Sequence, residues 1–352
     1  MADPIRPSRA EVTVAIPVRD GGPLFATLLD ALAQQSVEHE LLVCDSGSRD
    51  GSPALALERG ARLITIAPED FGHGRTRNLL VDAARGKHVA LLSQDAVPAD
   101  ERWLERLLDA FSVSRGVGLA YGPYIPRPDA PAHVRLELTA WFGSLAPGGL
   151  VRVDRLDAGS PPADGGTQAR VAEVDPSLVG RLGFFTDANA CIAREAWERV
   201  PFRDIAYAED RALALDMLRA GYAKVYVPDA AVIHSHDFGP VQQLRRCFDE
   251  WRGLLEVYGW REPVNPVRLA SQLRGELARA QRELSSEGIA LGAQPRTLAS
   301  VFGRRALCIV GATLGSRADR LPEGLQRKLS FERRTSVPPR RPRGRAADSV
   351  GP

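Results

Sequence analysis

Leu41-Leu42-Val43-Cys44-Asp45-Ser46-Gly47-Ser48-Arg49-Asp50-Gly51-Ser52 decides the fold: an apolar run closes on an acid, a Gly-Ser turn follows, and a second acid precedes a helix pattern. Leu41–Cys44 is apolar without alternation, the mark of a strand buried on both faces in a parallel sheet. The same form returns in Val89–Leu92, which leads into Ser93-Gln94-Asp95-Ala96. Carboxylates at the carboxyl ends of such strands stand where open α/β sheets bind ligands. Asp45 and Asp95 therefore offer places for a nucleotide's polar groups and for a divalent cation on its diphosphate.

Outward from this stretch, strand and helix patterns alternate. Val12–Ile16 reads as a strand, Pro23–Gln35 as a helix with Leu24, Leu28 and Leu32 at helical spacing, and Ser52 to Arg59 as the next helix. Arg62–Ile66, Thr76–Arg85 and Lys87–Leu92 continue the order, and Ala99–Phe111 carries Trp103, Leu104, Leu107, Leu108 and Phe111 on one face. A βαβα order predicts a doubly wound, mostly parallel sheet. After Val117–Tyr121 the order loosens, and residues 144–175, rich in Gly, Pro and Asp, read as a flexible loop. Phe184–Ala193 and Tyr222–Val227 read as strands around a helix that starts near Glu209. Val241–Tyr258, Val267–Ser285 and Leu298–Leu314 form a helical C-terminal region.

With 44% hydrophobic and 26% charged residues over 352 positions, the chain can bury a large core, and global disorder is excluded. Net charge is only +2, but Arg327, Lys328, Arg333, Arg334, Arg340, Arg341, Arg343 and Arg345 crowd the C-terminus, and 331–352 reads as a basic disordered tail. Cys44, Cys191, Cys247 and Cys308 have no metal-ligand or redox spacing and read as buried thiols. Met1–Ala10 lacks the apolar run of a signal peptide. No apolar stretch approaches the ~20 residues of a membrane span; Ala306–Leu314 is bounded by Arg305 and Arg317. A cytoplasmic location is expected. Leu298–Leu314, with Arg304 and Arg305, reads either as a stripe for peripheral contact with an anionic membrane or as a helix packed on the catalytic domain. No aromatic-studded basic sheet or recognition helix points to nucleic acid.

Several short segments carry chemistry. Pro17-Val18-Arg19-Asp20 ends the first strand in a loop of the kind that contacts a nucleotide, without the G-x-G-x-x-G of a dinucleotide site. Asp45 can accept from a nucleobase N–H or a ribose hydroxyl, while Asp50 also reads as turn and capping chemistry. Phe71-Gly72-His73-Gly74-Arg75-Thr76-Arg77-Asn78 opens a helix with two arginines, unfavourable for the dipole but suited to a phosphate. Asp95 is the leading metal-ligand candidate. His234 and His236, just after another strand, can complete the sphere of Mg²⁺ or Mn²⁺, Mn²⁺ accepting imidazole more readily. Glu209-Asp210 supplies a candidate general base at a helix start.

Together these segments resemble the family-2 inverting glycosyltransferases with the GT-A fold, from Val12 to about His236. Ile16-Pro17, Cys44 to Gly51, the Arg77-Asn78 helix start, Asp95 and Glu209-Asp210 stand at the family's signature positions. The family's acidic metal motif is usually Asp-x-Asp; here Ser93-Gln94-Asp95 keeps only the last acid. Phe71 to Asn78, Gln94-Asp95-Ala96-Val97-Pro98, His234-Ser235-His236, Leu314-Gly315, Leu321-Pro322 and Arg327-Lys328-Leu329-Ser330 are similar to the bacterial rhamnosyltransferase branch.

The resemblance implies single displacement at the anomeric carbon of a nucleotide-diphospho-sugar such as dTDP-rhamnose. The acceptor is a glycan or lipid-linked glycan of the bacterial surface. Asp210, with Glu209 beside it, is implied as base. Pro17, Arg19, Asp20, Asp45, Ser46, Asp50, Arg75, Arg77, Asn78, Gln94 and Asp187 are the expected substrate-binding residues, and Asp95, His234 and His236 the metal ligands. The expected division is 1–121 for the nucleotide sugar, 122–238 for metal and acceptor, 239–330 for the C-terminal helices, and the tail. A sugar-phosphate nucleotidyltransferase is disfavoured because Pro17-Val18-Arg19-Asp20 is no Gly-rich phosphate loop. A catalytically inactive nucleotide-sugar-binding scaffold is disfavoured by the presence of both Asp95 and Asp210.

Overall fold

The computed structural model describes residues 11–156, 167–168, 182–286 and 294–332. Strands β1 (Val12–Val18), β2 (Glu40–Asp45), β3 (Arg62–Thr65) and β4 (His88–Leu92) are parallel, joined through helices α1 (Gly22–Ala33), α2 (Ser52–Glu58) and α3 (His73–Ala83). The apolar runs of β1, β2 and β4 are buried on both faces, as a sheet between two helical layers requires, while β3 at the edge is half-buried. Val18 pairs with Asp45 and Ala15 with Leu91, so the loops after β1, β2 and β4 open on one edge.

Beyond β4 the sheet turns mixed. With β5 (Val97–Pro98), β6 (Val117–Tyr121), β7 (Tyr124–Ile125), β8 (Arg152–Arg155), β9 (Thr167–Gln168), β10 (Asn189–Ala193), β11 (Ala223–Tyr226) and β12 (Val232–Ile233) in chain order, the nine-stranded order is β3-β2-β1-β4-β10-β6-β11-β8-β9. Antiparallel β10 pairs Asn189 with Leu92, which brings the chain just before it, with Asp187, to the carboxyl end of β4. Asn189 is fully buried and locks this junction: it accepts from Trp103 Nε1 at 2.8 Å and donates to the carbonyls of Ala230 and Pro123 at 2.9 and 3.1 Å.

Where Phe184–Ala193 was expected as one strand, only its second half joins the ladder. The cause is Lys224 on β11, fully buried, whose ammonium donates to the Leu182 and Phe184 carbonyls and pairs with Asp154 at 3.2 Å. The Phe184 carbonyl is thereby taken by a cation and not by a ladder partner, and the strand begins at Asn189. Burial draws the Lys224 amine down to about 8.

A three-stranded sheet, β5-β12-β7, sits at the same edge. Ile233 pairs with both Val97 and Ile125. Residues just before β5, just after β7 and just after β12 therefore meet.

Helix α4 (Trp103–Asp109) lies between β5 and β6; helices α5 (Ala132–Leu145), α6 (Arg194–Arg199) and α7 (Glu209–Arg219) follow, and α8 (Pro240–Tyr258), α9 (Pro266–Ser286), α10 (Gln294–Gly315) and α11 (Glu323–Leu329) make the C-terminal region. A Cβ on Gly311 or Gly315 would strike the Leu244 or Phe248 carbonyl, so these glycines let α10 lie close along α8. There Cys247 and Cys308, distant in sequence, bring their sulfurs to 2.6 Å with Gln243 donating to both. Thr297–Gly315 is a 19-residue helical stretch of mean hydropathy 1.3, long and apolar enough to cross a membrane by those measures. Ala306–Leu314 alone understated it, because the helix continues through Arg304 and Arg305. Parts of the expected loop 144–175 (157–166 and 169–175) and residues 333–352 of the tail lie outside the described residues.

Candidate active site

Three groups of side chains gather at the carboxyl edge of the sheet. The first is the loop group. Asp45, nearly inaccessible, accepts the N–H groups of Gly47 at 3.0 Å and Ser48 at 3.2 Å, which folds the Gly-Ser turn back over its own strand end. Ser46 donates its N–H to the Val18 carbonyl at 3.0 Å, and Pro17 pairs opposite Cys44 inside the sheet. Asp20 sits at a φ of +48°, with its N–H on Ser48 Oγ at 2.9 Å and its carboxylate receiving the Arg49 N–H at 2.7 Å.

Asp50 accepts from the Gly22 N–H at 2.7 Å and from the Ser52 hydroxyl at 2.6 Å; that hydroxyl first, and then the N–H, holds its carboxyl below the usual range. Gln94 grips the backbone of Arg19 at both ends, accepting its N–H at 2.7 Å and donating to its carbonyl at 3.1 Å. An amide can do this and a carboxylate cannot, since the second bond needs a donor. The residue two before Asp95 in the acidic motif is Ser93, and the loop is fixed by the Gln94 side chain instead.

The small sheet builds the second group. Asp95, His234 and His236 offer three ligand atoms that lie within 4.8 Å of one another. His234 Nδ1 is 3.4 Å from Asp95 Oδ1 and His236 Nε2 is 3.7 Å from Oδ2. Burial is the first cause that drives both imidazoles below their ordinary range, His236 to about 4, with His234 the second cause there. Both rings are therefore neutral at pH 7, with lone pairs to give. One carboxylate with two neutral imidazoles fits Mn²⁺ by donor type. The sequence did not reveal Arg127, two residues past β7, whose Nη2 stands 3.0 Å from Asp95 Oδ2. Pro126-Arg127-Pro128 reads only as irregular chain, and nothing in it announces that contact.

Deeper in lies the third group. Arg77 was expected to meet a phosphate; instead it faces inward, its Nε 2.5 Å from Asp187 Oδ2 and its Nη1 3.3 Å from Glu209 Oε1. Asn78 likewise faces the protein, exchanging hydrogen bonds with the backbone of Phe202 and accepting from Trp197 Nε1. Arg75 remains outside, 3.3 Å from Asp204. A Cβ on Gly74 would collide with the Arg203 carbonyl, so the helix start must be glycine to dock here.

Burial pushes Asp187 up to about 7, against the pull of Arg77 and with the help of Glu209. It pushes Asp210 up to about 6, with Asp187 the next cause, although Oδ1 accepts the Arg211 N–H at 2.7 Å. Ala208, just before these acids, has a φ of +65°, an uncommon left-handed setting for a residue with a Cβ. Gly253 of α8 leaves the room that Ala208 and the Tyr207 carbonyl occupy. Such strain, held by surrounding packing, is a recurrent feature of functional sites.

Tyr124 divides the second group from the third. Its ring meets His234 edge-on at 4.8 Å and its hydroxyl bonds Thr186. Arg246 on α8 lies over the Tyr207 ring at 4.8 Å, and its charge bears on both histidines. The chain's last described residues also arrive here. Asp249, fully buried, accepts from the Ser330 hydroxyl and from the N–H groups of Phe331 and Glu332 at 3.1, 2.7 and 3.1 Å. Phe331 then meets Phe238, which stacks on His236, and Glu332 stands 3.4 Å from His73.

Comparison with known proteins agrees with this geometry. The family described as Glycosyl transferase family 2 matches residues 13–138. An O-antigen chain rhamnosyltransferase of Salmonella typhimurium, RfbN, is 29% identical over 245 residues, 68% of this chain and 71% of that relative. An N-acetylglucosaminyl-diphospho-decaprenol L-rhamnosyltransferase of Mycobacterium tuberculosis is 28% identical over 217 residues, 55% of this chain and 66% of that relative. Among solved structures, the mannosyltransferase PcManGT of Pyrobaculum calidifontis, in complex with GDP-Man and Mn²⁺, aligns with a TM-score of 0.55 at 18% identity over 88% of each chain. At that identity the likeness is one of fold, and the fold is GT-A.

Proposed function

Given that the chain carries a family-2 domain and is a glycosyltransferase acting on a nucleotide sugar, we propose that it transfers rhamnose, with inversion, from dTDP-rhamnose to a glycan or lipid-linked glycan of the cell surface. The observation that carries the reaction is the pairing of two unlike carboxylate settings at one sheet edge: Asp95 among imidazoles, and Asp210 in a setting that raises its pKa to about 6. The rhamnosyl donor rests on the two relatives, whose names share that sugar.

In this reading the nucleoside lies against Pro17–Asp20 and Asp45-Ser46, whose loop is preset by the hydrogen bonds described. Asp95, His234 and His236 hold a divalent cation, Mn²⁺ or Mg²⁺, which when bound neutralises charge developing on the leaving diphosphate. Asp210 takes the proton of the acceptor hydroxyl as its oxygen attacks the anomeric carbon. The bond from that carbon to the diphosphate oxygen breaks on the opposite face. A base with a pKa near 6 is ionised at pH 7 yet still basic enough to accept the proton. Arg77 and Asp187 orient the acid group and do not touch the phosphate. Residues 1–121 serve the donor, 122–238 the cation and acceptor, and 239–330 support them; the enzyme works at the cytoplasmic face of the membrane.

A donor panel tests the sugar. With Mn²⁺ present, dTDP-rhamnose should be hydrolysed or transferred in preference to GDP-mannose and UDP-glucose. Equal use of all three, or preference for another, would overturn the rhamnosyl assignment.

A further inference from the structure

Arg127 is anchored at its backbone and aimed at a single carboxylate. Its N–H donates to Ser235 Oγ at 3.1 Å, between the two histidines of the cluster. Its guanidinium donates from Nη2 to Asp95 Oδ2 at 3.0 Å and to the Asp95 carbonyl at 3.3 Å. The small sheet enforces this meeting, because Ile125 and Val97 both pair with Ile233. In consequence a side-chain cation already sits on the oxygen nearest His236, and a divalent cation that draws on that oxygen competes with it.

We propose that Arg127 is the resident counter-cation of Asp95, yields that carboxylate to the divalent cation, and then binds the donor's diphosphate. The inference rests on the cation site proposed above. Once a dication lies against Asp95, the guanidinium is repelled, but its backbone stays tied to Ser235. It therefore swings only within its own side-chain length, and the group next to a cation at this site is the diphosphate. Guanidinium suits that partner, since its planar fork meets phosphate oxygens at two points.

Charge supports the exchange. A dication over one carboxylate and two imidazoles leaves a single surplus positive charge, and the freed guanidinium adds a second. Together they match the doubly negative diphosphate of a nucleotide sugar. A motif with one acid in place of two fits such a site, because a second carboxylate would cancel what Arg127 contributes.

The exchange makes cation and nucleotide binding mutually dependent, and such coupling is reciprocal. Binding of Mn²⁺, followed by its electron paramagnetic resonance signal, is measured with and without dTDP on wild type, Arg127→Gln, Arg127→Lys and His234→Ala, each checked for folding by circular dichroism. Arg127→Gln should bind Mn²⁺ alone about fivefold tighter, the order expected from removing a partly exposed ion pair, and should lose most of the mutual strengthening by dTDP. Arg127→Lys keeps the charge, so its affinity for Mn²⁺ alone stays near wild type. It loses the two-point contact, so its coupling to dTDP falls. Unchanged or weaker Mn²⁺ binding in Arg127→Gln, while His234→Ala abolishes it, would overturn the role of Arg127 and leave the cation site standing. No Mn²⁺ binding in wild type would overturn both.

Discussion

In the loop group each carboxylate accepts from backbone N–H groups: Asp45 from Gly47 and Ser48, Asp20 from Arg49, Asp50 from Gly22 and Ser52. In the deep group the carboxylates of Asp187, Glu209 and Asp210 face one another, with Arg77 between two of them. Hydrogen bonds from N–H groups favour the charged form and cost nothing at neutral pH; burial beside like charge disfavours it. The two regions lie at the same sheet edge, yet one favours charged carboxylates and the other favours a retained proton. What separates them is what each carboxylate faces, backbone N–H groups in one and other carboxylates in the other.

The comparison can be broken at its reactive point first. Asp210→Asn should lower transfer by ~10²–10⁴-fold, the usual worth of a general base, while donor binding, measured calorimetrically, stays near wild type. Near-normal turnover would move the base to Glu209 or Asp187. The same variant removes a charge that desolvation and Asp187 disfavour, so its melting temperature at pH 7.5 should rise, as is common where activity requires an unfavourable setting.

Arg77→Met removes the charge that stands against both Asp187 and Glu209. Removing one partner of a buried ion pair costs about 3–5 kcal/mol, which denaturant unfolding would register. A loss below about 1 kcal/mol would show that the acids are already neutral.

The pH dependence of both regions follows from direction of shift. Asp210 and Asp187 have folded pKa values raised to about 6 and about 7. Between the ordinary carboxylate range and those values the folded state binds more protons than the unfolded chain. Their contribution to stability is therefore greatest in acid and is lost as pH rises through about 6 to 7. Activity runs the opposite way, with kcat/KM falling as pH drops through about 6 because the base becomes protonated. Asp50 is depressed instead, so its contribution is present above its unfolded pKa and lost in acid. Melting curves of wild type and Asp187→Asn between pH 4 and 8 test this: the variant should show a smaller decline toward neutral pH, with the share of Asp210 remaining.

The smallest effect expected is at Asp50→Ala, which breaks the link from the β2 loop to Gly22 and Ser52. Loss of such a turn carboxylate costs about 1 kcal/mol, on the order of a lost cap, with donor affinity near wild type. A larger loss of affinity at Asp50 would place it on the nucleotide itself.

Much of this was legible from the chain alone, and where it was not, the reason is physical. The apolar runs ending in Asp45 and Asp95 specify buried parallel strands and place their acids at one edge, because burial on both faces leaves no other reading of the pattern. The Glu209-Asp210 helix start and the two histidines after a strand were equally visible, being local. Arg127 and Arg246 could not be seen, since their roles depend on strand pairing across the small sheet and on the docking of α8. The inward turn of Arg77 was hidden for the same reason: a basic helix start looks like a phosphate site until antiparallel β10 sets Asp187 beside it. Local sequence fixes which groups stand at an edge, because strand ends are encoded by neighbours along the chain. Which of those groups remain charged, and which partner they face, depends on depth and on contacts across more than a hundred residues, and only the tertiary structure decides that.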